Sequence, residues 1–284
     1  MNLRAHFLQG RAKDLPTLLW FADLCEPVAN FKSFFLKPEN KILNYRNVWL
    51  IDHRNFGESD HHKSFGLHEM SDDIVRFMDK EKITMATIGG HGFGAKVATV
   101  TAVNNLNRFT GVMALDGGPL DHSHHEAYLE LKSYVLAASK LDLAHSDLSA
   151  ANKYLDQHIT CPKWRKIFKQ NIEADKNPLQ WKMNLNDLAT NMNKFQPDVA
   201  IWSHSYGLWP GQTFAHFPAH SRWIHLSTNT LPFYNVYPRL QNQFATASFN
   251  IHGTDESPTN HWMHEGSEND VWQLHQRMSR WLRW

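Results

Sequence analysis

Cysteine is scarce, with two residues among 284, and long runs of apolar residues are absent. Two cysteines cannot build a disulfide framework, and Cys25 and Cys161 are too far apart in sequence to form a C-x-x-C zinc motif. A membrane-spanning helix needs about 20 apolar residues, and no run approaches that length. The sequence therefore predicts a soluble protein of a reducing compartment, without a structural zinc site of the C-x-x-C type.

An excess of charge of one sign is also lacking. Lys plus Arg number 29 and Asp plus Glu 28, a net charge of +1, so no overall field favours binding to nucleic acid. The first acid, Asp14, follows Arg4, Arg11 and Lys13. This N-terminal stretch is compatible with a basic targeting segment and equally with a solvated arm.

Short apolar runs that end in Gly or Asp are present, and they are typical of buried strands in a parallel sheet. Helical patterns lie between them: one helix is predicted from a cap at Ser71 to about Lys80, and another from Phe93 to Asn105. The alternation predicts an α/β fold with a mostly parallel, doubly wound sheet. The predicted strands cover residues 16–22, 46–52, 84–90 and 110–116.

The alternation of strands and helices ends after Asp116, where the chain becomes polar and helix-prone and lacks strand signals. We interpret residues 121–200 as a helical cap over the carboxyl edge of the sheet, where open α/β sheets bind ligands. Strands are predicted to resume at 221–227 and 243–252.

A last helix is predicted from about Asn269 to Trp281, with an apolar stripe at helical spacing. The whole chain, 1–284, is interpreted as one domain. Its core comprises about 15–120 and 201–284.

The stretch "TIGGHGFGAKVA" reads as a strand that turns sharply into a helix, the shape of a G-x-S-x-G nucleophile elbow. Gly92 stands where that motif has its serine. Glycine adopts strained backbone conformations without steric cost, so the turn is retained while the nucleophile is absent. Asp116 and His261 follow in the order of the acid and the histidine of a Ser-acid-His triad.

Several stretches together resemble the mitochondrial abhydrolase domain-containing protein eleven family of α/β-hydrolases. The family patterns are roughly D-x-R-N-H-G-x-S, G-H-S-M-G-G-K, D-x-x-P, W-R-x-N-L-x-x-L and G-H-W-x-H. They match "DHRNFGESDH" (52–61), "GGHGFGAKVA" (89–98), "ALDGGP" (114–119), "WKMNLNDL" (181–188) and "NHWMH" (260–264). The resemblance implies an α/β-hydrolase fold with a cap, with the family acid at Asp116 and the family histidine at His261.

Two departures from the family pattern affect its chemistry. Gly92 has no nucleophilic atom, and Phe21-Ala22 replaces the His-Gly of the loop that completes the oxyanion hole. We therefore expect no serine-hydrolase activity, a protein that is not an enzyme, and vestigial triad positions at Gly92, Asp116 and His261. No cofactor and no metal are predicted.

The function predicted on this basis is that of a structural or accessory subunit of a mitochondrial assembly, such as a respiratory-chain complex. The resemblance implies the matrix or the matrix face of the inner membrane. Trp and Arg are enriched in interface hot spots, so Trp281, Arg283 and Trp284 are the candidate contacts with partner subunits.

Three alternatives stay open from the residues alone. A His261–Asp116 dyad can act as a general base in a serine-independent reaction. The former active-site pocket can instead serve a receptor that binds a small acyl or lipid ligand. The acidic and histidine-rich stretch "DHSHHE" (121–126) contains residue types that bind metal ions, although its spacing does not match an ordered tetrahedral site.

Overall fold

The computed structural model describes residues 1–192, 208–218, 221–223, 234–238, 247–252 and 261–283. Seven strands of the described residues form one sheet: β1 (Ala5–Leu8), β2 (Thr17–Phe21), β3 (Asn47–Ile51), β4 (Ala86–His91), β5 (Phe109–Leu115), β8 (Gln212–Pro218) and β9 (Ala247–His252). Their order in the sheet is β1-β3-β2-β4-β5-β8-β9, and β1 is antiparallel to its neighbour β3 while the other pairs are parallel. The predicted mostly parallel sheet is confirmed.

Two strands differ from the sequence prediction. Ala5–Leu8, within the stretch interpreted as a basic arm, pairs with Val48–Ile51 at the sheet edge. Gln212–Pro218 forms β8, whereas a strand was predicted at 221–227. That prediction is wrong for 221–223, which are not in a strand, and 224–227 lie outside the described residues. In the predicted segment 243–252, residues 243–246 also lie outside the described part.

Helices cover both faces of the sheet, as the doubly wound prediction requires. The helices are α1 (Phe31–Leu36), α2 (Leu67–Lys80), α3 (Phe93–Asn104), α4 (Glu126–Ala138), α5 (Leu148–His158), α6 (Pro162–Gln170), α7 (Leu185–Asn191) and α8 (Glu268–Trp281). One face of the sheet packs on α1 and α8, and the other on α2, α3 and the helices α4 to α7.

The helix predicted to start at Ser71 begins one turn earlier. Gly66 is its N-cap, with extended backbone, and Ser71 is buried inside α2. Leu67 and Met70 are also buried, so the apolar stripe already includes the first turn.

The insertion between β5 and β8 contains α4 to α7, as the cap prediction expects, together with a short hairpin of β6 (Ile172–Glu173) and β7 (Gln180–Trp181). The hairpin is too short to give a strand signal in the sequence. The predicted cap residues 193–200 lie outside the described part of the chain.

The "DHRNFGESDH" stretch, residues 52–61, is held in place by buried polar contacts. Arg54 Nε lies 2.6 Å from Asp73 Oδ2 on α2, and both side chains are buried. Ser59 donates a hydrogen bond to the Asp52 carbonyl oxygen at 2.7 Å. Breaking a buried pair such as Arg54–Asp73 typically costs about 3–5 kcal/mol, so this motif stabilises the turn after β3.

The C-terminal residues predicted to contact partners have different surroundings. Trp281 is buried against Phe214 and Gly111 in the protein's own core, which corrects its assignment as a contact residue. Arg283 is exposed and lies over the Tyr45 ring, while Trp284 is outside the described residues. Among the described helices, none combines the length and apolar character needed to cross a membrane.

Candidate active site

A sharp turn joins β4 to α3 and contains a single residue, Gly92. Its φ of 52° and ψ of −117° lie where a side chain is strained and glycine is not. The turn is held by a hydrogen bond from the Gly92 N–H to the Leu115 carbonyl oxygen at 2.8 Å. This is the position at which a nucleophile elbow presents its nucleophile.

The structure brings Asp116 and His261 together next to this turn. Asp116 follows β5 directly, and its Oδ2 lies 2.7 Å from Nδ1 of His261. Both side chains are buried. The second carboxylate oxygen of Asp116 accepts a hydrogen bond from the Ser221 hydroxyl at 2.5 Å, so the acid is held on both sides.

A third residue, Asp23, completes the site and was missed in the sequence analysis. It follows β2 directly after the Phe21-Ala22 pair. Its Oδ2 lies 2.8 Å from Nε2 of His261, and its Oδ1 accepts the Phe93 N–H at 2.6 Å. An acid placed directly after a buried strand was the available signal, because parallel strands bring their carboxyl ends to one edge.

The Asp23 carboxylate also explains why residue 92 has no side chain. A Cβ built on Gly92 would overlap the carboxylate of Asp23. The carboxylate therefore fills the space above the elbow and makes the contacts with the histidine and with the amide of the following residue.

Electrostatics makes the central histidine a cation. Burial alone would lower the pKa of His261, but the hydrogen bonds and charges of Asp116 and Asp23 raise it to about 10. Burial would likewise raise the pKa of Asp23, yet His261 and the Phe93 N–H outweigh it and hold that pKa below its ordinary value. At neutral pH the imidazolium thus donates to a carboxylate on each side.

Phe21 and Ala22, predicted as the altered oxyanion loop, present apolar side chains. Phe21 stacks on the His53 ring at 4.7 Å, and both residues of the pair are buried. Burial lowers the pKa of His53 to about 3, so this ring is neutral. Among the described residues, the backbone N–H of Phe93 is the group at the elbow that occupies the position of an oxyanion-hole donor.

A small cavity of about 20 Å³ adjoins Asp23 and Gly92. This volume accommodates roughly one water molecule. Its wall is mainly apolar, and the buried Lys96 is one of its polar lining residues. The other lining residues are Leu24, Phe93, Asp116, His122, Tyr128, Leu131 and Trp223.

Asp23, His91 and His261 have potential metal-ligand atoms within 4.8 Å of one another. However, His91 Nε2 lies 2.8 Å from the His261 carbonyl oxygen, and its Nδ1 lies 3.3 Å from Glu26 Oε2. Both His91 nitrogens thus face protein oxygens. A second group with this spacing consists of Glu26, His264 and Glu265. Among the described residues, neither group includes any residue of the stretch 121–126.

The loop that carries His261 is tied to the cap. Trp262 contacts Trp164 of α6 edge to face at 5.3 Å, and Glu265 pairs with Lys163 of the same helix. Any movement of α6 therefore acts on the loop that positions the histidine.

Comparison with known proteins shows that the chain is similar to proteins named as enzymes. The chain is 24% identical over 172 residues to ethanol acetyltransferase 1 of Hanseniaspora uvarum, matching 55% of this chain and 51% of the relative. It is 23% identical over 267 residues to the sn-1-specific diacylglycerol lipase ABHD11 of Danio rerio, matching 93% of this chain and 78% of the relative. The chain spans about half the length of the ethanol acetyltransferases from Hanseniaspora uvarum and Wickerhamomyces ciferrii.

Solved structures share the fold. A marine microorganism esterase superposes with a TM-score of 0.78 at 19% identity, covering 96% of this chain and 98% of the esterase. E-2-(acetamidomethylene)succinate hydrolase superposes with a TM-score of 0.64 at 14% identity, covering 96% of this chain and 92% of that one. The prediction that the protein is not an enzyme is wrong: the relatives are named as an acetyltransferase and a lipase, and the structural neighbours are an esterase and a hydrolase.

The resemblance noted in the sequence is confirmed by the ABHD11 match over most of the chain, and the predicted fold by the structural neighbours. The α/β hydrolase fold model matches residues 40–205, more than half of the 284 residues. The protein therefore belongs to the α/β-hydrolase fold family.

Proposed function

We propose that the protein is an enzyme that hydrolyses a small substrate without a serine nucleophile, with His261 as the group that moves protons. The observation that carries this proposal is the carboxylate–imidazolium–carboxylate arrangement of Asp116, His261 and Asp23, with contacts of 2.7 and 2.8 Å. It develops the serine-independent alternative and replaces the prediction of an inactive protein.

The arrangement supports acid catalysis first. His261 holds a proton at neutral pH, and its Nε2–H points to Asp23 beside the cavity. A substrate that neutralises Asp23 removes one of the two charges that keep the imidazole protonated, so the proton becomes easier to release. Neutral His261, still bound to Asp116, is then able to accept a proton from water.

The cavity supports a small, largely apolar substrate. Its volume of about 20 Å³ holds one water, so the cap has to move before a larger molecule reaches Asp23. The link between α6 and the His261 loop fits such a movement.

Removal of the proton-moving group tests the proposal. We expect His261→Ala to lower turnover on the order of a hundredfold or more, the typical contribution of a general acid–base group. The assay measures multiple-turnover hydrolysis of p-nitrophenyl acetate, p-nitrophenyl butyrate and styrene oxide.

His145→Ala is the matched control, because His145 forms a similar 2.7 Å contact with Asp142 on the exposed surface of the cap. It should leave turnover unchanged. Equal rates for unaltered protein and His261→Ala on every substrate would rule the proposal out.

A mitochondrial location and association with partner subunits remain part of the proposal, and they rest on the resemblance. We expect the native protein to fractionate with mitochondria and to migrate in a native gel as a species larger than its 33.0 kDa chain. Recovery as a monomer outside that fraction would contradict both.

A further inference from the structure

Asp23 and Glu26 lie on one tight turn after β2, and each carboxylate contacts a different histidine. The turn is closed by a hydrogen bond from the Glu26 N–H to the Asp23 carbonyl oxygen at 3.0 Å. Asp23 contacts the ring of His261, whereas Glu26 Oε2 lies 3.3 Å from Nδ1 of His91, the last residue of β4. Both members of this second pair are buried, so one turn presents two carboxylates to two neighbouring histidines.

His91 links this turn to the backbone of His261. Its Nε2 lies 2.8 Å from the His261 carbonyl oxygen. A carbonyl oxygen only accepts hydrogen bonds, so Nε2 of His91 carries a hydrogen and donates it. The centroids of the two rings are 4.2 Å apart. His91 therefore holds the residue that moves protons at a backbone atom that takes no part in the proton transfer.

Glu26 fixes the orientation of the His91 ring. Burial alone would raise the pKa of Glu26, but His264 and His91 outweigh it and hold that pKa well below its ordinary value, so the carboxylate is ionised. An ionised carboxylate beside Nδ1 attracts an N–H at that position. Turning the ring over would place carbon atoms against both oxygens, so the two acceptors together determine how the ring lies.

The same carboxylate also contacts the loop after His261. Glu26 Oε1 lies 3.3 Å from Nε2 of His264, and both side chains are buried. The His264 ring stacks on Phe31 of α1, with ring centroids 3.9 Å apart. Glu26 thus holds residues 261–264 at two points, directly through His264 and indirectly through His91.

We propose that Glu26 and His91 are positioning residues for His261. The inference rests on the proposed function and adds to it the groups that hold the proton-moving ring between its two carboxylates. Contacts of 2.7 and 2.8 Å on the two ring nitrogens of His261 require a fixed backbone. A displacement of about 1 Å in such a group can lower the rate roughly a hundredfold.

Two substitutions at His91 separate the backbone anchor from packing. His91→Gln keeps a side-chain N–H that can reach the carbonyl oxygen of His261, whereas His91→Leu fills a similar volume without a donor. We expect His91→Leu to lower kcat roughly tenfold to a hundredfold with KM little changed, and His91→Gln to retain most of the activity. The assay uses the test substrate that the unaltered protein hydrolyses fastest. Equal kcat values for the two variants, both folded by circular dichroism, would overturn the inference.

His275→Leu is the matched control, because Nε2 of the buried His275 also bonds a backbone carbonyl oxygen, that of Phe34, at 3.0 Å. This substitution should lower stability and leave kcat unchanged. A fall in kcat equal to that of His91→Leu would show that a general loss of rigidity, and not the anchor, causes the effect.

Glu26→Gln tests the other member of the pair. It should lower kcat in the same direction as His91→Leu, since a side-chain amide has one acceptor oxygen for two histidines. A kcat equal to that of the unaltered protein would show that Glu26 does not position His91.

An NMR titration of the His261 ring tests the inference without turnover. The ionisable groups that face His91 are Glu26, Asp23, His264 and His261. Both substitutions at His91 remove any charge of that ring alike, so a difference between them reports the hydrogen bond to the backbone. We expect a lower pKa of His261 in His91→Leu than in His91→Gln, because without the anchor the ring separates from its two carboxylates.

The outcomes of this titration separate the two proposals. Equal His261 pKa values in the two variants would overturn the positioning role, whatever the activity of the unaltered protein. The expected difference, together with an unaltered protein that turns over none of the test substrates, would overturn the proposed hydrolysis and leave the positioning of His261 standing.

Discussion

Replacing Gly92 by serine will not create a serine hydrolase. We expect Gly92→Ser to abolish turnover and to lower the free energy of unfolding by about 2–6 kcal/mol, the sum of backbone strain and overpacking. The new side chain would overlap the Asp23 carboxylate, and the backbone φ of 52° disfavours any residue with a Cβ. The replacement of the family His-Gly by Phe21-Ala22 also predicts that Gly92→Ser lacks serine-hydrolase activity. In the structure, the group that obstructs a serine side chain at position 92 is the Asp23 carboxylate.

A double-mutant cycle with Asp23→Ala isolates this obstacle. If the overlap causes the loss, Asp23→Ala should recover part of the stability lost in Gly92→Ser, with a coupling of about 0.5–3 kcal/mol in urea unfolding. Gly66→Ser is the matched control, since Gly66 is an extended helix N-cap at which serine is favoured. Strictly additive effects of the two substitutions would show that the carboxylate does not occupy the serine position.

The central strands could be predicted because buried strands of a parallel sheet consist of continuous apolar runs. Leu18, Leu19 and Trp20 of β2 are fully buried, as a strand inside a parallel sheet requires. β8 was missed because "QTFAHFP" includes Thr213 and His216, two polar residues that are also fully buried. Their burial follows from neighbours distant in sequence, which a local pattern does not contain.

In the candidate site, too, some residues could be found from local sequence patterns and others depend on contacts between distant parts of the chain. Motif matching located Gly92, Asp116 and His261, because each belongs to a short local pattern. The contact between Asp23 and His261 joins residues 238 positions apart. A motif comparison detects that a serine is absent, whereas only the folded chain shows which group occupies its place.

We expect the stability of the protein to fall as the pH rises from about 6.5 to about 10, and His261 to be a principal cause. In the unfolded chain a histidine has its ordinary pKa of 6.5, whereas in the folded protein Asp116 and Asp23 raise the pKa of His261 to about 10. Between these values the folded state binds the proton and the unfolded state has released it, so stability decreases with pH.

Other histidines have the opposite effect at lower pH. Burial lowers the pKa of His53 to about 3 and that of His275 to about 4, so both are neutral in the folded protein. Their contribution to the free energy of unfolding is present above about pH 6.5 and is lost as the pH falls below that value. The reason is that the unfolded chain then binds protons that the folded state excludes. Stability should therefore be highest near pH 6.5.

Urea unfolding across this range measures the effect of His261. One pKa unit corresponds to about 1.4 kcal/mol, so the decline above pH 6.5 should amount to several kcal/mol. His261→Gln should flatten this decline in stability, while His145→Gln at the exposed pair should retain it.

An NMR titration of the His261 ring in the unaltered protein provides an independent measurement, whether or not the glutamine variant folds. A ring that titrates near its ordinary pKa would show that the two carboxylates do not hold His261 as a cation, and the acid step assigned to it would then lack its proton.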